Sequence, residues 1–221
     1  MTNKIRAVLF DFGGVVLSSP FDAFAAYEQA EGFPVGLIRE INSTRPDDNA
    51  WAKFERSDVD AVGFIELFEA EAKLRGHGVS GARVLELISG DVRPEMVEAI
   101  RRVRAAGFVT ACLTNNVKRG AGDVADRERE SSSRDIAISE VMAMFDHVVE
   151  SSVLGVRKPE EEFYLRALET VGVEASESVF LDDLGINLKP ARAMGMTTIK
   201  VIDADSALAE LEVVIGLNLR T

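Results

Sequence analysis

Short apolar runs alternate with segments of helical periodicity from residue 94 onward, and no other pattern in the sequence limits the possible folds as strongly. The apolar runs predict strands at 108–113, 147–150, 179–181 and 197–202, with an earlier strand at 5–10. The segments between these strands have prolines where a helix would begin and glycines where one would end. They are Pro94, Pro159, Pro190, Gly107, Gly172 and Gly195. Strands and helices that alternate over short connections predict an α/β fold with a Rossmann-like doubly wound parallel sheet as its core.

Residues 20–89 do not follow this alternation. They show helical periodicity and no convincing strand, as in Phe64, Leu67 and Phe68, which follow Asp60 as a predicted N-cap. We therefore expect residues 1–18 and 90–221 to form the α/β core domain and residues 19–89 to form an inserted α-helical domain.

Composition and charge exclude several classes of protein. The 221 residues carry a formal net charge of −12, which argues against a nucleic-acid partner because phosphate backbones need a basic surface. No run approaches the ~18 uninterrupted apolar residues of a membrane span, and the N-terminal apolar run does not resemble a secretion signal. A single cysteine, Cys112, allows no disulfide within the chain. These features predict a cytoplasmic protein without a membrane partner. They leave its oligomeric state open.

A polar, charged stretch interrupts the strand–helix alternation between Lys118 and Arg134. Its Arg, Glu and Ser content predicts a mobile surface loop, followed by an amphipathic helix that ends near Phe145.

Polar side chains follow the predicted strands at their carboxyl ends. They are Asp11 after the first strand, Thr114 and Asn115 after the second, Lys158 beyond the third, and Asp182 and Asp183 at the fourth. Because ligands of an open parallel sheet bind outside the carboxyl ends of its strands, we expect these side chains to converge on one site.

Three clustered carboxylates would repel one another and raise one another's pKa values in a cleft of low dielectric constant. A divalent cation relieves that repulsion, and hard oxygen ligands with open positions suit Mg²⁺, which shares its coordination shell with phosphate. Lys158 can supply a point charge and Thr114 a hydroxyl for the remaining phosphate oxygens. A carboxylate could then attack phosphorus and form an aspartyl-phosphate.

Four segments carry a family resemblance, at residues 8–14, 113–116, 157–159 and 180–183. In their order and spacing they resemble the four motifs of the haloacid dehalogenase-like hydrolase superfamily. Within it, the chain more closely resembles the N-terminal phosphatase-like domain of soluble epoxide hydrolase. The resemblance implies a hydrolase with a Rossmann-like core and a helical cap, which corresponds here to residues 19–89.

For the metal, the resemblance implies a Mg²⁺ ion held by Asp11, by the backbone carbonyl of Gly13 and by Asp183. Asp182 would bind this ion through water or orient its waters. For the reaction, it implies that Asp11 is the nucleophile and that Thr114 and Asn115 hold the transferring phosphoryl group.

The resemblance further implies that Lys158 balances the charge of Asp11 and of the phosphate, and that Asn187 assists nearby. The partner would be a small phosphorylated metabolite, whose identity the sequence does not specify.

Gly13 departs from the family pattern. Most phosphatases of this class carry a second aspartate there, which protonates the leaving group, and such assistance is typically worth roughly 10²–10⁴ in rate. Three alternatives follow: a substrate with a good leaving group, an acid supplied by another residue, or a module that binds phosphorylated metabolites with little turnover. A metal-independent haloacid dehalogenase is a further reading, against which the pair Asp182 and Asp183 argues.

Each of these residues also has a structural alternative. Asp182 and Asp183 could cap the following helix, Thr114 and Asn115 could stabilise a turn, and Lys158 could be a solvated surface residue.

Overall fold

A computed structural model describes residues 4–88, 90–116 and 133–220, with only the backbone of residues 133 and 134. In this part of the chain the strands are β1 Ala7–Phe10, β2 Val109–Thr114, β3 His147–Glu150, β4 Ser178–Asp182 and β5 Thr197–Lys200. They form one sheet in the order β3-β2-β1-β4-β5, and every neighbouring pair is parallel. The predicted α/β fold is confirmed. Its strand order reverses at β1, which is where such sheets bind ligands.

The helices precede, connect and follow these strands. They are α1 Pro20–Glu31, α2 Leu37–Ser43, α3 Ala50–Glu55, α4 Ala61–Lys73, α5 Gly81–Leu87, α6 Pro94–Ala105, α7 Ser133–Met142, α8 Ser151–Leu154, α9 Glu161–Val171, α10 Gly185–Ala193 and α11 Ala204–Ile215.

Alternate side chains of each strand enter two apolar cores, one on each face of the sheet. Phe10 and Leu181 pack with α6 and α11 on one face. Leu9 and Phe180 pack with α9 and α10 on the other. Because helices cover both faces, the strands are apolar on both sides, which is why they stand out in the sequence as continuous apolar runs.

Helices α1–α5 pack around a third apolar core of their own, in which Phe54, Phe64 and Phe68 are buried. The chain enters and leaves this bundle side by side, since Leu17 and Val92 form an antiparallel bridge. A separate core and adjacent connections are what an inserted domain requires. The division into domains at 18/19 and 89/90 stays a prediction.

Three helix starts differ from the prediction. Helix α9 begins at Glu161, after a cis Lys158–Pro159 peptide bond, so Pro159 lies before the helix. Helix α10 begins at Gly185, because the N–H of the preceding Leu184 is held by Asp182, and Pro190 therefore lies inside it. The sequence after the last strand predicts a final helix over residues 206–215, but helix α11 begins two residues earlier, at Ala204, because the carboxylate of Asp203 caps it.

The predicted mobile loop at 118–134 lies outside the described residues, apart from its last two positions, which begin α7. Among the described helices, none has both the length and the apolar character to cross a membrane.

Candidate active site

Asp11 follows the central strand β1 and begins the site. One of its carboxylate oxygens, Oδ1, accepts a hydrogen bond of 2.6 Å from the N–H of Phe12. The turn that follows contains Gly13, which is exposed, and Gly14, which has a φ of 77°. A Cβ on Gly14 would lie 2.3 Å from Oδ2 of Asp183, so glycine is required there both by backbone conformation and by the close approach of this carboxylate.

Lys158 is the cation of the site. It is 1 % exposed, and its Nζ lies 2.8 Å from Oδ1 of Asp11 and 2.8 Å from Oδ2 of Asp182. Burial lowers the pKa of Lys158, but the charges of Asp11 and Asp182 outweigh burial and raise it above its ordinary value. The lysine is therefore a permanent positive charge between two carboxylates.

Asp182 is fully buried, and donors of the protein occupy both of its oxygens. Besides Lys158, they are the N–H of Leu184 at 2.8 Å and the side-chain amide of Asn187 at 3.1 Å. The hydroxyl of Tyr164 in turn donates to the backbone carbonyl oxygen of Asn187 at 2.7 Å. Asp182 thus orients Lys158 and the start of α10.

Asp183 is only half-buried and faces the same space. Burial, and secondly the charge of Asp182, raise the pKa of Asp183 to about 6. Lys158 and Arg93 act in the opposite direction. Arg93, between the helical insert and α6, is a charged neighbour that the sequence analysis did not single out.

The three carboxylates form a group that could hold a metal ion. Asp11, Asp182 and Asp183 each offer an oxygen, and these atoms lie within 4.8 Å of one another. Burial raises the pKa of Asp11 well above its usual range, Lys158 opposes the shift, and the charges of Asp182 and Asp183 add to it. Hard, mutually repelling oxygen ligands are the donor set that suits Mg²⁺.

Thr114 ends β2, which neighbours β1 in the sheet, and Asn115 follows it, so both lie at the strand end where the sequence places them. Thr114 is buried at the end of the strand. The side-chain amide of Asn115 donates to the carbonyl oxygen of Lys158 at 2.9 Å and accepts from its N–H at 2.9 Å. Because Asn115 also donates to Glu55 at 3.2 Å, its amide is committed to the protein. The roles predicted for both residues toward a phosphoryl group stay predictions.

The sequence analysis missed Glu55, which reaches the site from helix α3. Its Oε2 accepts from Nε of Arg157 at 2.7 Å as well as from Asn115. Arg157 lies in the motif at residues 157–159, whereas no local sequence pattern marks Glu55 as a residue of the site.

Comparison with known proteins agrees with this geometry. A model of the haloacid dehalogenase-like hydrolase family matches residues 5–195. The chain belongs to this family. The match covers strands β1–β4 and the helical insert, with all four motifs, so the resemblance seen in these motifs is confirmed.

Some of the proteins similar to this chain are much longer than it is. Acyl-CoA dehydrogenase family member 10 of Mus musculus is 32% identical over 97% of this chain and 19% of its own length. Bifunctional epoxide hydrolase 2 of Sus scrofa is 31% identical over 97% of this chain and 40% of its own. This chain therefore spans less than half the length of either relative. Sesquiterpene phosphatase astK of Aspergillus oryzae is 25% identical over 98% of this chain and 100% of its own.

Solved structures share the fold at low sequence identity. A dehalogenase has a TM-score of 0.64 at 17% identity, covering 99% of this chain and 100% of that one. A family enzyme of Bacteroides thetaiotaomicron, in complex with magnesium and inorganic phosphate, has a TM-score of 0.54 at 20% identity, covering 89% of this chain and 93% of that one.

Proposed function

We propose that this hydrolase is a Mg²⁺-dependent phosphatase that acts on a small phosphorylated metabolite through an aspartyl-phosphate at Asp11. One observation carries the proposal: a buried Lys158 is placed 2.8 Å from both Asp11 and Asp182, beside the half-buried Asp183. This arrangement combines an oriented carboxylate with positive charge where phosphate oxygens would lie.

Asp11 is held for attack through one of its oxygens. Phe12 and Lys158 both donate to Oδ1, and among the described residues no donor occupies Oδ2. Oδ2 would form the bond to phosphorus while the bond to the leaving oxygen breaks and that oxygen takes the electron pair. Water would then hydrolyse the acyl phosphate and regenerate the carboxylate of Asp11. Lys158 offsets negative charge throughout.

Asp11, the carbonyl of Gly13 and Asp183 would hold the Mg²⁺ ion. Asp182 would act on it indirectly, because its oxygens are already occupied by Lys158, Leu184 and Asn187. When bound, the ion would supply positive charge that keeps Asp11 ionised and neutralises phosphate oxygens. The need for that charge is the argument against a metal-independent dehalogenase, despite the shared fold.

The similar proteins support the proposed reaction, phosphate release, but do not identify the metabolite. The name of the sesquiterpene phosphatase astK describes phosphate release, and that protein matches over nearly all of this chain. The Bacteroides enzyme indicates that the fold can accommodate magnesium and phosphate together. Both proteins therefore support phosphate chemistry at this site rather than the opening of an epoxide.

Replacing the nucleophile tests the proposal. We expect wild-type protein to release phosphate from acetyl phosphate, sugar phosphates or p-nitrophenyl phosphate in the presence of Mg²⁺ and not in EDTA. Asp11→Asn should abolish that release, because an amide does not attack phosphorus. Asp205→Asn is the matched control, since the side chain of Asp205 is 83% exposed on α11. Equal rates in wild type and Asp11→Asn across this panel would refute the proposal.

Gly13 favours a second candidate, a module that binds phosphorylated metabolites with little turnover. The position has room for the missing acid. Its φ of −69° suits any L-residue, and a Cβ added there meets nothing within 4 Å. The leading proposal and this rival differ in how fast wild-type protein releases phosphate from a bound metabolite.

Restoring the acid tests whether its absence at Gly13 limits turnover. We expect Gly13→Asp to raise the rate on alkyl phosphates by about 10²-fold or more, because their leaving groups need a proton, and to change the rate on acetyl phosphate much less. Gly13→Asn is the control that fills the same space without an acid. If Gly13→Asp and Gly13→Asn act alike on alkyl phosphates, protonation at this position does not limit the reaction.

A further inference from the structure

Helix α3 of the insert ends against the core domain, and its last residue, Glu55, contacts residues beside Lys158. The side chain of Glu55 is 17% exposed, and its Oε2 lies 2.7 Å from Nε of Arg157. The same oxygen accepts from Nδ2 of Asn115 at 3.2 Å. One carboxylate of the insert therefore binds two residues of the core.

The side chain of Asn115, which contacts Glu55, also forms hydrogen bonds with the backbone of Lys158. Its Nδ2 donates to the carbonyl oxygen of Lys158 at 2.9 Å, and its Oδ1 accepts from the N–H of Lys158 at 2.9 Å. Arg157, the other partner of Glu55, is the residue immediately before Lys158. Glu55 is thus linked to Lys158 by two routes, one through a side-chain amide and one through the peptide chain.

The backbone position of Lys158 determines where its Nζ lies. That atom is 2.8 Å from carboxylate oxygens of both Asp11 and Asp182, and the side chain is almost fully buried. Phosphoryl transfer depends on positioning and electrostatic stabilisation, so a shift of about 1 Å in this charge is enough to slow it strongly.

The two residues that follow Glu55 in the sequence also contact the core domain, but they do not contact Asn115, Arg157 or Lys158. Ser57 donates to the carbonyl oxygen of Ser152 at 3.4 Å, and Arg56 pairs with Glu160 at 3.2 Å. These contacts hold the insert against α8 and the start of α9. A change at one of these contacts weakens the docking of the insert without altering the support of Lys158, so it can serve as the control for a change at Glu55.

We infer that Glu55 is a positioning residue that links docking of the helical insert to the placement of Lys158 between Asp11 and Asp182. When the insert is docked, Glu55 orients Asn115 and Arg157, and these hold the backbone of Lys158. When it moves away, that support is lost. The inference rests on the proposed function only in that the charge of Lys158 acts on phosphate.

The test compares Glu55→Ala and Glu55→Gln with Glu160→Gln, a matched change at the same boundary that does not contact Asn115. The first readout is kcat and KM for p-nitrophenyl phosphate with Mg²⁺. The second is hydrogen exchange at the amide of Lys158, which requires no activity. Thermal unfolding shows whether each variant folds.

We expect Glu55→Ala to lower kcat by about 10- to 100-fold with a smaller change in KM, and to speed exchange at Lys158. Glu55→Gln should fall between it and wild type, because its carbonyl oxygen still accepts from Asn115. Glu160→Gln should match wild type in both readouts.

Equal exchange at Lys158 in wild type and both folded Glu55 variants would overturn the inference, as would an equal loss of kcat in Glu160→Gln. Wild-type protein without any phosphatase activity would instead refute the proposed function. In that case the exchange measurement alone decides whether Glu55 positions Lys158.

Discussion

Charge balance at single residues determines what this site can do. Three carboxylates and one ammonium, on Asp11, Asp182, Asp183 and Lys158, leave an excess of negative charge in a largely buried space. Asp182 is neutralised by its own protein donors, so the uncompensated charge falls on the other two carboxylates. The metal-free site is therefore electrostatically unfavourable, and a cation would be stabilised there.

This imbalance predicts that Asp183→Asn stabilises the metal-free protein. Burial raises the pKa of Asp183 to about 6, so above that pH the folded state carries a carboxylate that costs about 1–3 kcal/mol relative to the unfolded chain. The folded state binds the proton more tightly than the unfolded chain, so this cost is fully present above pH 6 and disappears as the pH falls toward 4. Thermal unfolding in EDTA should show Asp183→Asn melting higher than wild type at pH 8, by a margin that shrinks to about a third at pH 4.5.

Added Mg²⁺ is the control for that prediction. It should raise the melting temperature of wild type at pH 8 and leave Asp183→Asn unchanged. A lower melting temperature for Asp183→Asn in EDTA at pH 8 would contradict the electrostatic account.

At the scale of single elements, helix starts depend on which group satisfies the first backbone N–H groups. The predicted cap at Asp60 is confirmed, since its carboxylate accepts from the N–H of Gly63 at 2.8 Å. Helix α2 has no such local cap, because its N-cap is Gly36. A carboxylate from the preceding helix takes that place. Glu28 of α1 is 1 % exposed and accepts from Gly36 at 2.6 Å and from Ile38 at 2.7 Å.

Glu28→Gln should therefore destabilise the protein by about 1.5–3 kcal/mol. Glutamine can accept at only one atom, so one of the two N–H groups is left facing an amide, and the charge-assisted bonds are lost. Urea unfolding at neutral pH measures the change, with Glu31→Gln on the exposed side of α1 as the control. Similar unfolding midpoints for the two variants would mean that Glu28 contributes no more than a surface residue.

On the scale of the whole molecule, three apolar cores divide the chain. Two lie on the faces of the sheet, and the third lies within α1–α5. The ring of Phe64 is central to the third core, with ring centroids of Trp51, Phe54 and Phe68 at 4.8, 4.9 and 5.5 Å. Polar contacts such as the pair of Glu55 and Arg157 join this bundle to the core domain.

Phe64→Ala should weaken the helical insert more than the sheet. Removing a buried phenylalanine costs about 3–5 kcal/mol. Because the insert has its own core, we expect amides of α1–α5 to lose hydrogen-exchange protection while those of β1, β2 and β4 keep theirs. The same comparison tests the predicted domain division. Equal loss of protection in both parts would show that the chain unfolds as one cooperative unit.

The sequence alone determined the parallel α/β core, the helical character of residues 20–89 and the convergence of Asp11, Lys158, Asp182 and Asp183. These follow from apolar periodicity and from residues at strand ends, which depend on neighbours close in the chain. Tertiary structure alone decided that Asn115 supports Lys158 across 43 positions, and that Glu55 reaches Asn115 across 60 and Arg157 across 102. No local pattern encodes such contacts, because only the packing of the insert against the core brings their partners together.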